Sequence, residues 1–270
     1  MHRLALFFAV LTGTFRRFAT YRVATLAGVF TNTVFGFILS FTFLALWDAR
    51  PHLGGYVRSQ ALTFVWTGQA LLAAVALFGG GAAEEVQARI RSGDIVVDLY
   101  RPVDLQAWWL AADLGRAAFQ LVGRGIVPML VGALVFDLAL PGSPLVWVCF
   151  LVSVWWAVVV GFAFRYLLAL GAFWLLDGHG LDTLGTLLAV FFSGMLIPLH
   201  VFPGAFGEVV RVLPWAAMLQ VPADVLLGRY RGVPGVVGAF GFQAVWAAVL
   251  LLAGRALQAL ATRKVVVHGG

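Results

Sequence analysis

Charge is scarce in this 270-residue chain: only 11% of its residues are Asp, Glu, Lys or Arg, against about 25% in a soluble domain. So few charges cannot cover a water-facing globule. Lysine is scarcer still. Lys264 is the only one, so the formal net charge of +6 rests on arginine. Cysteine is limited to Cys149, inside an apolar run, which excludes an internal disulfide and a thiolate metal site. No Gly-rich loop contains a lysine, and Lys264 is followed by Val265, so the chain has no phosphate-binding loop for a nucleotide. Ser193-Gly194 lacks the glycine pattern and paired histidine of a serine hydrolase. Asp177, His179 and Asp182 share one Gly-rich stretch, but this sparse set does not specify a metal site. The basic balance, pI near 10.2, does not point to nucleic acid. The arginines are scattered between apolar runs, which suits anionic lipid headgroups.

What the chain has in abundance is apolar length: 62% of residues are hydrophobic and the mean hydropathy is +0.96. A bilayer core of about 30 Å needs roughly 20 apolar residues in a helix. Runs of that order cover 23–46, 61–81, 108–140, 145–170 and 235–260, and a shorter run over 181–197 ends at Pro198. These predict an all-α integral membrane protein: one membrane domain over 1–270, about six spans, and both termini on one side. Arg3, Arg16, Arg17 and Arg22 before the first span, Arg89, Arg91 and Arg101 after the second, and Arg263 after the last place that side in the cytoplasm. Residues 1–22 read as a retained amphipathic helix in the membrane interface. Arg16-Arg17-Phe18 follows the apolar stretch where a signal peptide would have small residues.

Four features are not required by a simple lipid-facing bundle. The run over 108–140, with Asp104 as N-cap, is longer than the bilayer, and it holds Asp113 and Arg116 at i, i+3 as well as Arg124. These charges either position the helix at the interface or belong to a substrate path. Residues 84–103 form a polar loop, a helix ending at Ser92-Gly93 and then a short helix capped by Asp94. Its Ile95 and Leu99, with Val96 and Tyr100 adjacent, read as an apolar knob rimmed by Asp98 and Arg101. Such a knob either folds back on the membrane or enters a groove of a soluble partner. In the first span Asn32, Gly36 and Ser40 continue a stripe of small residues that serves close helix packing or lines a path, with Thr186 and Ser193 as facing candidates. Residues 198–232 hold Pro198, Pro203, Pro214 and Pro222 among apolar residues. They are too broken to span and too apolar for a solvated loop, and read as an outer re-entrant segment, whether a packed lid or a gate over a path.

The strings Gly93-Asp94-Ile95 and Leu99-Tyr100-Arg101-Pro102-Val103, and then Ser193 to Leu199 with Phe202-Pro203 and Leu213-Pro214-Trp215, resemble the permease subunit of bacterial type-2 ABC exporters. The resemblance implies an inner-membrane permease that is no enzyme and binds no cofactor itself. It further implies a dimer with a second permease, the same or a homologous chain, and two ABC ATPase subunits that bind ATP and Mg. Ile95, Val96, Asp98, Leu99, Tyr100 and Arg101 would couple to those ATPases, and Pro198, Phe202, Pro203 and Pro214 would form an outer gate. The stretch around Asp177 to Asp182 has no Arg or Lys, which departs from the family where a second ATPase contact is expected. A membrane scaffold, an ATP-independent channel and a lipid-modifying enzyme are the competing readings.

Overall fold

A computed structural model describes residues 2–175 and 179–263. Every regular element among them is helical: α1 (His2–Ala19), α2 (Arg22–Ala49), α3 (Arg58–Val75), α4 (Ala82–Ser92), α5 (Ile95–Tyr100), α6 (Leu105–Gln120), α7 (Ile126–Val135), α8 (Pro144–Leu170), α9 (His179–Phe192), α10 (Gly204–Val212), α11 (Gln220–Leu226) and α12 (Gly232–Thr262). Among the described residues four stretches are long and apolar enough to cross a membrane: Arg22–Ala49, Leu105–Val135, Pro144–Phe173 and Gly232–Thr262. The bent pair α10 and α11, meeting at 62°, makes a fifth if it counts as one broken span.

The other two expected spans are α3 and α9, and each departs from its run for a physical reason. α3 is the centre of the bundle, with residues 61–71 all buried among other helices, so it carries Thr63, Thr67 and Gln69 without facing lipid. It stops at Val75, well before Gly81, because Ala76 turns left-handed at φ 55° and Gly79, Gly80 and Gly81 follow at φ 80–85°. α9 covers 14 residues, about 21 Å of helix. It ends at Phe192, short of Pro198, where the Gln220 N–H bonds the Ser193 carbonyl at 3.0 Å and Gly194 takes φ 95°.

The long run from Asp104 is not one straight rod either. A π-turn at Leu121–Gly125 separates α6 from α7, and α7 ends at Val135. Asp104 caps α6 as its sequence implies, its carboxylate accepting the Ala107 N–H at 2.7 Å. α8 is the hub of the core and packs on α12, α11, α4 and α3. α1 lies along α6, and a Cβ at Gly115 would collide with the Leu11 carbonyl, so the glycine sets their close approach. Phe15 meets Phe119 edge to face at 5.7 Å in the same seam. α1, α4, α5 and the end of α12 gather at one end of the bundle, and the turn at Leu53–Gly55 with α10 lies at the other.

Candidate functional site

At the α5 end, two glycine-initiated turns build the loop. α4 begins after Gly81 and closes at Gly93, whose φ of 82° makes the left-handed cap. Asp94 does not cap α5; its carboxylate accepts from the Ser92 hydroxyl at 2.8 Å instead. The face expected to be a knob is turned inward. Ile95 is 2% exposed and packs with Val86, Leu105, Trp109 and Phe162, and Leu99 lies against the same cluster. Asp98 is not a rim residue: it is buried and ion-paired to Arg89 and Arg101. The outward face carries Val97 at 55% and Tyr100 at 78% exposure, with Arg101 beside them and Val96 half-buried. Six residues of helix leave two apolar faces, and Ile95 rather than Val97 meets the bundle. Sequence spacing alone does not tell which one the bundle takes.

Behind α4 lies a buried ionic cluster. The Asp113 carboxylate, wholly buried, accepts from Arg116 at 2.9 Å, from Arg165 at 2.8 Å and from the Ala82 N–H at 3.1 Å. The two guanidinium groups donate onward to the carbonyls of Ala73, Ala74, Val75 and Ala76, the orphan acceptors at the end of α3. One carboxylate thus joins the end of α3 and the start of α4 to α6 and α8. The Asp113–Arg116 pair is the one the i, i+3 spacing implies. Arg165 has no signal in sequence, because it is a single charge in the last turns of an otherwise apolar run.

At the opposite end a second polar network holds the proline-broken segment over 198–232. The Tyr56 hydroxyl donates to Asp224 at 2.6 Å and accepts from Gln220 at 2.7 Å. His200 meets the other Asp224 oxygen at 2.8 Å, and Arg229 lies 3.4 Å from the carboxylate and 4.0 Å over the Tyr56 ring. Burial, reinforced by the Asp224 charge, pushes the Tyr56 phenol far above its ordinary range, so it stays a neutral donor. Gln220 also accepts the Leu199 N–H, and Gln243 of α12 donates to the Ala217 and Ser153 carbonyls. These amides satisfy the backbone of a segment that is not continuous helix, a condition for survival at membrane depth. Pro198 and Pro214 are buried, Phe202 is half-buried and Pro203 is exposed. α10 turns Phe206, Val209 and Val212 outward, whereas α11 is wholly buried.

The path candidates do not form one wall. Asn32, Gly36 and Ser40 lie on the face of α2 buried against α3: Asn32 donates to the Gln69 carbonyl at 3.1 Å, and a Cβ at Gly36 would press on the Trp66 ring. This is the close-packing use of a small-residue stripe. α9 packs on α8 and the Pro214–Ala217 turn, away from α2. Ser193, just past its end, is buried, while Thr186 lines a cavity of about 530 Å³ with Glu84, Arg91, Arg165 and Asp182. Asp177 and the side chain of His179 lie outside the described residues.

No curated protein sequence matches this chain. A family model does: that of the ABC-2 family transporter protein, over residues 30–269. The match takes in α3 to α12 and most of α2, both polar networks and the α4–α5 loop. This multi-pass helical membrane protein belongs to the ABC-2 transporter family.

Proposed function

We propose that this chain is the permease subunit of an ATP-driven exporter, forming a translocation path with a second permease and powered by two separate ABC ATPases. ATP and Mg belong to those partners. The observation that carries the reading is α5, a helix locked to the spans on one side by Ile95 and Asp98 and leaving Val97 and Tyr100 in the open. An exposed apolar pair flanked by Arg101 suits insertion into a partner's groove. A load on it reaches α4 directly and then, through Asp113, α6 and α8. A loosely tethered loop would dissipate that load.

In this reading both termini face the cytoplasm of a bacterial inner membrane, because the arginines of the α5 end prefer that side. Substrate enters beside the Thr186 cavity and leaves under the lid of Pro198, Phe202, Pro203 and Pro214. Asn32, Gly36 and Ser40 hold the wall behind it. Replacing Val97 and Tyr100 together by Asp should abolish co-purification of the co-expressed ATPase while leaving membrane yield and melting temperature unchanged. Undiminished co-purification would refute the docking assignment.

A further inference from the structure

Arg124 is an intramembrane charge left without a partner. Among the described residues its guanidinium forms no hydrogen bond or ion pair, and its Nε is buried. Nearby, Arg116 and Arg165 are spent on Asp113 and helix carbonyls and Arg17 on Glu85, while Glu84 also lines the larger of two clefts beside Arg124. Arg124 stands in the π-turn Leu121–Gly125 and lies over Gly28 of α2, where any Cβ would collide with it. One turn earlier the Gln120 Oε1 is also buried without a donor. An orphan cation and an orphan acceptor, four residues apart on one face, line the same space.

That space is a pair of adjoining clefts, one of about 360 Å³ between α1, α2, α4 and α6 and one of about 600 Å³ between α1, α3, α4 and α6, and both contain Gln120 and Arg124. The smaller one is bounded by Tyr21, just before α2, and by Ala24 and Thr25 of α2, where Tyr21 and Ala24 are exposed. Just beyond them Val23 and Leu26 present apolar side chains outward. Gly28 lies six residues into α2, about 9 Å along the helix, the depth at which an arginine reaches the headgroup layer. An unpaired guanidinium at that depth is costly, and a phosphate diester is its best-matched counter-ion, because the planar fork binds two phosphate oxygens at once. Gln120 then accepts from a hydroxyl or ammonium further along the headgroup, and the acyl chains run out past Val23 and Leu26.

We propose that this cleft holds the headgroup of one glycerophospholipid from the leaflet on the α5 side, with Arg124 gripping the phosphate and Gln120 accepting from the headgroup. The proposal stands apart from the assignment of α5. It is tested on the purified full chain, delipidated in detergent, by native mass spectrometry with dioleoylphosphatidylglycerol added in steps. The wild type should retain one lipid saturably. Arg124→Gln should weaken that binding by about tenfold or more. Ala24→Trp, which fills the cleft from its exposed wall and keeps the charge, should weaken it to a similar degree and decides the matter if Arg124→Gln folds poorly. Arg255→Gln, on the exposed face of α12, should change nothing. Binding unchanged in Ala24→Trp or in folded Arg124→Gln overturns the proposal. Displacement of the lipid by millimolar inorganic phosphate would also overturn it, by assigning the site to a soluble anion.

Discussion

At the scale of single residues the fold is held by a few polar groups that the apolar composition makes expensive. Asp113 carries the heaviest load, since its removal leaves two buried arginines without a counter-charge. Breaking a buried ion group in this way costs about 3–5 kcal/mol. Asp113→Asn should therefore lower the melting temperature sharply in detergent. Arg165→Gln added to it should cost less than the sum of the two single changes. Additive costs would mean that the cluster is not coupled. Tyr56 gives a pH test at the other end. Its phenol is raised in the folded chain, so the folded state keeps the proton after the unfolded state has lost it, and stability falls as pH rises above about 10. Tyr230 is raised by burial too, and shares that direction. Tyr56→Phe should flatten the alkaline loss measured by thermal melts between neutral pH and pH 11, at a cost near neutrality of about 1–3 kcal/mol. An unchanged alkaline slope would remove Tyr56 from the cause.

Among the elements, legibility followed exposure to lipid. α2, α8 and α12 read easily because long apolar runs with no interruption have one sensible structure. α3 and α9 did not, because their lengths are set by Ala76 and Gly194 in left-handed backbone, which hydropathy does not register. The π-turn before α7 escaped for the same reason, since its extra residue costs no apolar character. α5 reads correctly as a helix with Tyr100 and Arg101 exposed, but Ile95, Leu99 and Asp98 turn inward, as only the packing of Val86 and Trp109 decides which side the bundle takes. The bend between α10 and α11 was legible from the prolines, yet the Tyr56, His200, Asp224 and Arg229 network was not. These residues are scattered between positions 56 and 229, and the one signal was an Asp in α11 followed by an Arg just past its end. Contact between α1 and α6 offers a separate test. Gly115→Leu should force α1 off α6, and hydrogen exchange in α1 should rise while α8 stays protected. Equal protection in both variants would show that α1 is held elsewhere.

At the scale of the molecule, the two polar networks lie at opposite ends of a bundle joined by α3, α8 and α11; in the proposed function one end is driven and the other forms the lid. α8 touches both: Arg165 binds Asp113 near one end and Ser153 binds Gln243 toward the other. A displacement at α5 can thus reach the lid through packed helices, a coupling that needs an ATPase seated on α5. The most direct measurement is the intact mass of the complex purified through this chain after co-expression with its ATPase. The expected mass is that of two permeases with two ATPases, reduced to the permeases alone when Val97 and Tyr100 are both replaced by Asp. A wild-type chain that purifies without any ATPase, or a complex that survives that double replacement at full mass, would contradict it.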